Sequence, residues 1–240
     1  AEAGMAAAAA LLARAQGSPD GYLVIDGARL RAEDVRAALR AACAELGAPC
    51  PADVIVASVW NGYGHEPGSG PLPAGLPITV DLWPRHEQSS CWADMTRTFL
   101  VGAPAPDHAA LIGEQERLVD QVMGATIAAV RPGVTGRDLY DLACDVFEAA
   151  GYATQRTGPG RDQREGFQFA LGHGVGLEVH EAPYLGLSGR MPLVSGDVIA
   201  IEPGLWDRRI GGVRFEDLLR VTDDGCEVLT RYPYALSPTG

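Results

Sequence analysis

The sequence predicts an α+β fold made of two similar halves with a functional site between them. Three observations carry that expectation. The 240 residues are enough for one well-cored domain and few for two. Asp34 to Gly47 and Asp138 to Gly151 each span 13 positions, and each is a helix closed by Gly and followed by strands. No linker divides the chain. The echo is loose on its own, because many helices end in Gly.

Residues 5–16, mostly Ala and Leu, read as a helix stopped by Gly17-Ser18-Pro19. A short strand follows at 22–25. An amphipathic helix over 31–46 carries Val35, Leu39, Cys43 and Leu46 on one face. Residues 54–59 alternate as a strand, and 61–77, rich in Gly and Pro, form a loop. A hairpin pairs 78–83 with 91–101 through a turn at 84–90. Helices occupy about 107–130 and 136–150, the second opened by the capping-box spacing Thr135-x-x-Asp138. After a polar loop at 157–166, strands are expected near 167–180, 197–202, 211–221 and 226–230.

Hydrophobic residues make up 47% and charged residues 21%, an ordinary soluble composition. Net charge is −12 and Lys is absent, so all 19 cationic side chains are Arg. That balance argues against nucleic-acid and anionic-membrane binding, which need a basic patch. No apolar run reaches the roughly 20 residues of a membrane span. Five cysteines without a CxxC pair read as reduced, mostly buried thiols in the cytoplasm, with a Cys43–Cys50 bridge as the rival reading.

Chemistry concentrates in a few polar residues set in apolar strands. Asp81 lies in Pro77-Ile-Thr-Val-Asp-Leu-Trp83, where an ionised carboxylate is costly unless something positive pairs with it. Asp94 lies on the opposing strand, and period-two alternation lets the two share a face. A bridging cation would remove their repulsion; Arg97 or backbone donors are the competing partners. His173 sits in Gly172-His-Gly-Val-Gly176, where glycines permit close backbone approach to a ligand. A phosphate loop is the rival, but no helix start follows. Glu202 ends the apolar run Val198-Ile-Ala-Ile201, and Glu216 lies in Gly212-Val-Arg-Phe-Glu-Asp217. Four acids and one imidazole in such settings point to metal.

The strings Val80-Asp-Leu, Asp94-Met-Thr-Arg-Thr-Phe99, Gly172-His-Gly-Val-Gly-Leu-Glu-Val-His180-Glu-Ala-Pro183, Ile201-Glu-Pro-Gly204 and Gly212-Val-Arg-Phe-Glu-Asp217 resemble the pita-bread metallopeptidases. That group contains methionine aminopeptidase, aminopeptidase P and prolidase, and the match lies nearest the prolidase-like Xaa-Pro branch. The resemblance implies a pita-bread fold over 1–240: two pseudo-symmetric halves, a curved antiparallel sheet and helices on its outer face. It implies Asp81, Asp94, His173, Glu202 and Glu216 as ligands of two divalent ions. Glu202 would also carry the proton, His180 would hold the scissile carbonyl or its oxyanion, His65 would contact the scissile amide, and Arg214 would support the ligands from behind. One imidazole among four carboxylates favours Mn²⁺ or Co²⁺, with Zn²⁺ also accommodated.

Three departures accompany the match. Phe169 stands where many prolidases have a His, four residues before His173, on the substrate-carboxylate side. The turn between Asp81 and Asp94 is about two residues longer than usual. The N-terminal domain common in prolidases is absent from 1–240, which reads either as a single-domain member or as the catalytic-domain part of a longer chain. The implied activity is a proline-directed dipeptidase, aminopeptidase or carboxypeptidase acting on small peptides, with a homodimer as the assembly expected if the chain associates. A non-catalytic peptide- or protein-binding module and a methionine aminopeptidase-type activity are the alternatives.

Overall fold

The computed structural model describes residues 1–62, 64–158 and 162–239. The first half runs α1 (Glu2–Ala13), β1 (Gln16–Gly17), β2 (Leu23–Ile25), β3 (Ala28–Arg29), α2 (Ala32–Glu45), β4 (Ile55–Ala57), β5 (Pro77–Leu82) and β6 (Met95–Leu100). The second runs α3 (Pro106–Ala129), α4 (Gly136–Ala149), β7 (Gly172–Gly174), β8 (Glu181–Leu185), β9 (Val198–Ile201), β10 (Gly204–Asp207), β11 (Gly211–Arg214), β12 (Asp217–Val221) and β13 (Cys226–Val228). These strands all pair antiparallel, in sheets ordered β1-β2-β3, β4-β5-β6, β10-β11 and β13-β12-β9-β7-β8.

The two halves repeat one another in detail. Helices α2 and α4 are each 14 residues long. Asp34 and Asp138 occupy the third helical position of each, and both carboxylates accept the backbone N–H of the residue before the helix, at 2.9 Å. Gly47 and Gly151 follow the C-caps with φ of 68° and 89°, a left-handed turn that costs Gly nothing.

Two apolar cores lie under the helices. In the first half Met5, Leu12, Val35 and Leu39 pack on Ile78, Val80, Leu82, Met95 and Phe99. In the second, Val119, Met123, Tyr140 and Phe147 pack on Leu171, Ile199, Ile201, Val213 and Leu219. Strand alternation then dictates what faces the other way. Ile78, Val80 and Leu82 are fully buried, worth about 1.5–3 kcal/mol each. A one-residue slip would expose all three. The register is therefore held even though it carries Thr79 and Asp81 on the opposite, polar face. The halves meet along these polar faces: Thr98 Oγ1 donates to Arg214 O and accepts from Arg214 N, both at 3.0 Å, and Glu216 N donates to Thr96 O at 3.1 Å.

Several boundaries differ from the sequence expectation. The first helix begins at Glu2 and ends at Ala13, because Gln16–Gly17 pairs with Leu23–Val24. The single strand expected over 211–221 is two. Arg214 pairs with Gly204 while Asp217 pairs with Ile201, so the chain changes sheets at Phe215–Glu216. The strand expected over 167–180 shrinks to β7, and β8 forms beyond it as a sheet edge, where Pro183 needs no ladder hydrogen bond. Strand β10 (Gly204–Asp207) lies where the sequence reading placed no element. Cysteines 43, 50 and 144 are buried and Cys226 is half-buried, but Cys91 is exposed in the hairpin turn, and none is disulfide-bonded.

Candidate metal centre

Each carboxylate is delivered by a diagonal relationship between paired strands. Asp81 lies directly opposite Thr96, and Asp94 is two residues before Thr96, so the two acids project from one face of the hairpin. His173 lies opposite Ala200, and Glu202 is two residues beyond Ala200, the same construction in the other half. Asp217 lies opposite Ile201. Continuing that register by one residue sets Glu216 against Glu202.

All five expected ligands converge on one buried floor, with exposures of 6% for Asp81, 5% for Asp94, 5% for His173, 8% for Glu202 and 2% for Glu216. Donor atoms lie within 4.8 Å of one another in the groups Asp81, Asp94, Glu216 and His173, Glu202, Glu216, which share Glu216. A third group joins Asp94, His173 and His180. A cavity of about 380 Å³ opens above the floor, with His65 and His180 exposed at its rim and Ile55, Trp83 and Val179 as apolar wall.

The electrostatics set the acids of this floor apart from one another. Burial, then Glu216 and Asp81, drives Asp94 well above the usual carboxylate range. Burial, then Glu202 and Asp81, does the same to Glu216. Asp81 is also raised by burial, against the pull of Arg214. Glu202 goes the other way: burial pushes it up, but the His65 imidazole at 3.9 Å and the Arg214 guanidinium more than offset this and hold it at about 2. His180 is lowered by burial and by His173, whose ring centroid is 4.1 Å away.

A hydrogen bond sets the His173 tautomer. His173 Nδ1 faces the Gly174 carbonyl at 3.1 Å, and a carbonyl only accepts, so Nδ1 carries a proton. Nε2 is thereby offered to Glu202 at 3.5 Å and Asp94 at 3.8 Å. In the neutral ring that is a lone pair aimed at two carboxylates, an arrangement a metal ion reconciles. Arg214 is fully buried; its Nη2 bonds Asp81, and its Nη1 lies 2.9 Å from His65 Nε2.

The competing partner for the hairpin acids is elsewhere. Arg97 lies on the opposite face, bonded to Asp217 at 2.8 Å and to the carbonyls of Tyr232 and Pro233 at 2.7 and 2.9 Å. Phe169 stands edge-on to His65, with ring centroids 5.2 Å apart, and against Phe167 and Trp206 at 5.0 Å each. It buttresses His65 and offers no charge. The long hairpin turn reaches across to the second half: Trp92 N donates to Gly176 O at 2.9 Å and Trp92 Nε1 to Leu177 O at 3.1 Å. Glycines 172 and 174 serve strand packing. A Cβ at Gly172 would collide with the Ala200 carbonyl, and one at Gly174 with that of Ala182.

Some site residues went unnoticed in the sequence. Thr96 Oγ1 donates to Glu216 Oε2 at 2.7 Å, and Asp53, Ile55, Trp83 and Val179 line the cavity. Period-two counting from Asp94 reaches Thr96 and Thr98. Ile55 becomes visible only once β4 is known to pair with β5 opposite Asp81.

Comparison with known proteins agrees with this geometry. The chain is 34% identical over 191 residues to a Xaa-Pro dipeptidase of Pyrococcus horikoshii, covering 77% of this chain and 49% of that protein. It is 32% identical over 207 residues to a probable dipeptidase PepE of Mycobacterium tuberculosis, covering 85% and 50%. The chain thus spans about half the length of these curated relatives. The solved Pyrococcus horikoshii prolidase superposes with a TM-score of 0.77 at 28% identity, covering 98% of this chain and 61% of that one. A methionine aminopeptidase of Thermotoga maritima, 19% identical, shares the fold with a TM-score of 0.70 over 96% of this chain and 93% of its own. The two-halved architecture is the pita-bread fold. The model of metallopeptidase family M24 matches residues 1–223, and the chain belongs to that family.

Proposed function

We propose that this chain is a dinuclear metal-dependent exopeptidase that hydrolyses peptide bonds next to proline. The observation that carries the reading is the convergence of Asp81, Asp94, His173, Glu202 and Glu216 on one floor, in two donor groups sharing Glu216. The residues fit two divalent ions on independent grounds. Asp81 Oδ1 is buried without a hydrogen-bond partner, three carboxylates are pushed toward protonation, and His173 directs Nε2 at two acids. Asp81, Asp94 and Glu216 would hold one ion, and His173, Glu202 and Glu216 the other. Four carboxylates and one imidazole make a hard site suited to Mn²⁺ or Co²⁺, with Zn²⁺ also accommodated. When bound, such ions supply Lewis-acid polarisation of a carbonyl and a water acidified to near neutrality.

The protein's own residues account for the rest. Glu202, held ionised by His65 and Arg214, takes a proton from the attacking water and returns it to the leaving amine. His180 at the rim donates an N–H to the carbonyl oxygen as negative charge develops there. His65, whose Nε2 lies 2.9 Å from Arg214 Nη1, contacts the scissile amide. Arg214 keeps Asp81 and His65 in place from behind. Two of its relatives, the Xaa-Pro dipeptidase and the prolidase of Pyrococcus horikoshii, support proline as the directing residue. Small peptides are the partners this reading requires, and the unpaired cysteines favour the cytoplasm.

The test is Mn²⁺-loaded protein against Xaa-Pro dipeptides, longer Xaa-Pro peptides and peptides beginning with Met, with metal content measured alongside. About two ions per chain and cleavage next to proline are expected, and Glu202→Gln should lower turnover about 10²–10⁴-fold. Cleavage of Met peptides without a proline requirement would move the protein to the methionine aminopeptidase type. Metal binding with no hydrolysis of any peptide would sink the proposal.

A further inference from the structure

Arg97 has no role in the proposed reaction, yet its guanidinium is fully buried behind the metal floor. Met95 and Phe99, on the same face of β6, belong to the first-half core. An arginine between them is costly unless its donors find partners. Every N–H of the fork is used. Nε donates to Pro233 O at 2.9 Å, and Nη2 to Tyr232 O at 2.7 Å and Asp217 Oδ1 at 2.8 Å. Nη1 donates to Thr96 O at 2.8 Å and to Glu216 O at 2.7 Å.

The bond to Glu216 O falls where the sheets give no support. The β10–β11 ladder ends at Arg214 and the β12–β9 ladder begins at Asp217, so neither register includes Glu216. Two consecutive residues of the other half hold it instead. Thr96 O accepts from Glu216 N at 3.1 Å, Thr96 Oγ1 donates to Glu216 Oε2 at 2.7 Å, and Arg97 Nη1 bonds the Glu216 carbonyl. Arg97 Nη1 also bonds Thr96 O, the same oxygen that receives Glu216 N. One guanidinium thus ties the donor strand to the backbone of the shared ligand.

The C-terminal segment keeps that guanidinium in place. Arg97 lies against the rings of Tyr232 and Tyr234, 5.8 and 4.7 Å from their centroids. Tyr234 stacks on Phe215 at 5.1 Å, and its hydroxyl donates to Asp217 Oδ2. Arg231 N donates to Glu2 Oε1 at 2.7 Å, and Leu100 N to Leu236 O at 2.8 Å. Residues 231–236 follow the second half in sequence but are fastened to α1 and β6 of the first.

We propose that Arg97 is a positioning residue of the metal centre. With Asp217 and the strap of residues 231–236, it fixes the Glu216 backbone so that one carboxylate serves both donor groups. This rests on the function proposed above. Without the fork, Thr96 Oγ1 still anchors the carboxylate, but the peptide behind it is free to turn. Glu216 then serves one ion well and the second poorly.

The test titrates the full chain with Mn²⁺ by calorimetry and follows the bound ions by electron paramagnetic resonance. It compares the wild type, Arg97→Lys, Tyr234→Phe and Met123→Ala. Arg97→Lys keeps a charge beside Asp217 and loses the fork. Tyr234→Phe keeps the ring over Arg97 and deletes the bond to Asp217. Met123→Ala opens the second-half core and touches none of these bonds. In Arg97→Lys the second ion should bind about 10–100-fold more weakly, with the first little changed. The exchange-coupled signal of a bridged Mn²⁺ pair should give way to that of isolated ions at equal loading. On a Xaa-Pro peptide kcat should fall with KM nearly unchanged. Tyr234→Phe should show the same pattern to a smaller degree, and Met123→Ala a lower Tm without it.

An Arg97→Lys protein that melts lower yet binds both ions as the wild type does overturns the proposal. If Arg97→Lys does not fold, wild-type affinity for the second ion in Tyr234→Phe overturns it. Equal weakening of the second ion in Met123→Ala does so too, since the effect would then be one of stability. In each case the wild type still binds two ions and cleaves peptides, and the proposed function stands. A wild type that binds no second ion overturns both.

Discussion

Thr96 Oγ1 donates a 2.7 Å hydrogen bond to Glu216 Oε2 across 120 residues of sequence, joining the first-half hairpin to the carboxylate common to both donor groups. The partner of this bond, and not the carboxylate alone, fixes where Glu216 points. Removing it with Thr96→Val keeps the shape and deletes the donor. The expected result is a loss of about 1–3 kcal/mol in urea unfolding and metal affinity about 10–100-fold weaker, read by titration with Mn²⁺. Unchanged affinity would mean the bond does not orient the ligand.

Arg214 compensates buried Asp81 at a contact where both partners are almost inaccessible. Arg214→Met should therefore cost about 3–5 kcal/mol in metal-free protein, because an acid is left without its counterion. The loss should shrink when Mn²⁺ is added, since the ion takes over the compensation. Arg214→Lys should recover only part, because a point charge cannot bond Asp81 and His65 with a planar fork. Equal destabilisation with and without metal would contradict this.

Metal-free protein should become less stable as pH rises. Asp81, Asp94 and Glu216 are raised in the folded state, so the folded chain holds protons that the unfolded chain releases near pH 4. Stability from these groups is full below that pH and is lost as pH climbs through their folded values. Glu202, lowered to about 2, has the opposite sign, and its contribution fades only below about pH 4. From about pH 4 upward the three raised groups outnumber His180, the one opposing group, whose lowered value favours the folded state as pH passes about 6.5. The Tm of chelator-treated protein should fall over that range while the Mn²⁺-loaded Tm does not. Asp94→Asn should flatten the metal-free slope. A metal-free Tm that rises with pH would reverse the sign and the explanation.

Gly172 lies so close to the Ala200 carbonyl that no side chain fits. Gly172→Ala should push β7 from β9, with an overpacking cost of about 1–3 kcal/mol, and displace His173 from Glu202. Metal affinity is expected to fall more than stability does, checked by calorimetry beside thermal melts. An alanine variant with wild-type metal binding would show that the strand spacing is not what places His173.

The pair of 14-residue helices illustrates what local chemistry reveals unaided. Capping acids, helical apolar spacing and a terminal Gly are all within one helix length, so α2 and α4 were readable nearly to their ends. The five candidate ligands were readable as well, since a charged residue in an apolar strand is conspicuous without coordinates. By contrast, the break at Phe215–Glu216 was hidden, because each side of it looks like strand and only the change of partner, from β10 to β9, interrupts it. Strand β10 was hidden for the same reason.

The glycines around His173 were visible but carried a different meaning. Their spacing is compatible with ligand approach and with tight strand packing alike. Only the positions of Ala182 and Ala200 decide for packing. Asp53 drew no attention in sequence because an acid in a turn is ordinary; its place on the cavity wall depends on β4 lying beside β5.

The sequence by itself therefore determined the helices, the polar residues placed against an apolar background and the family they resemble, because propensity, capping and alternation act over a few neighbouring residues. The tertiary structure alone decided that Thr96 meets Glu216, that Arg214 and not Arg97 answers Asp81, and that Asp53 faces the cavity. Those outcomes depend on which strands pair and in what register, which brings together residues as far as 133 positions apart whose contact leaves no local trace in the chain.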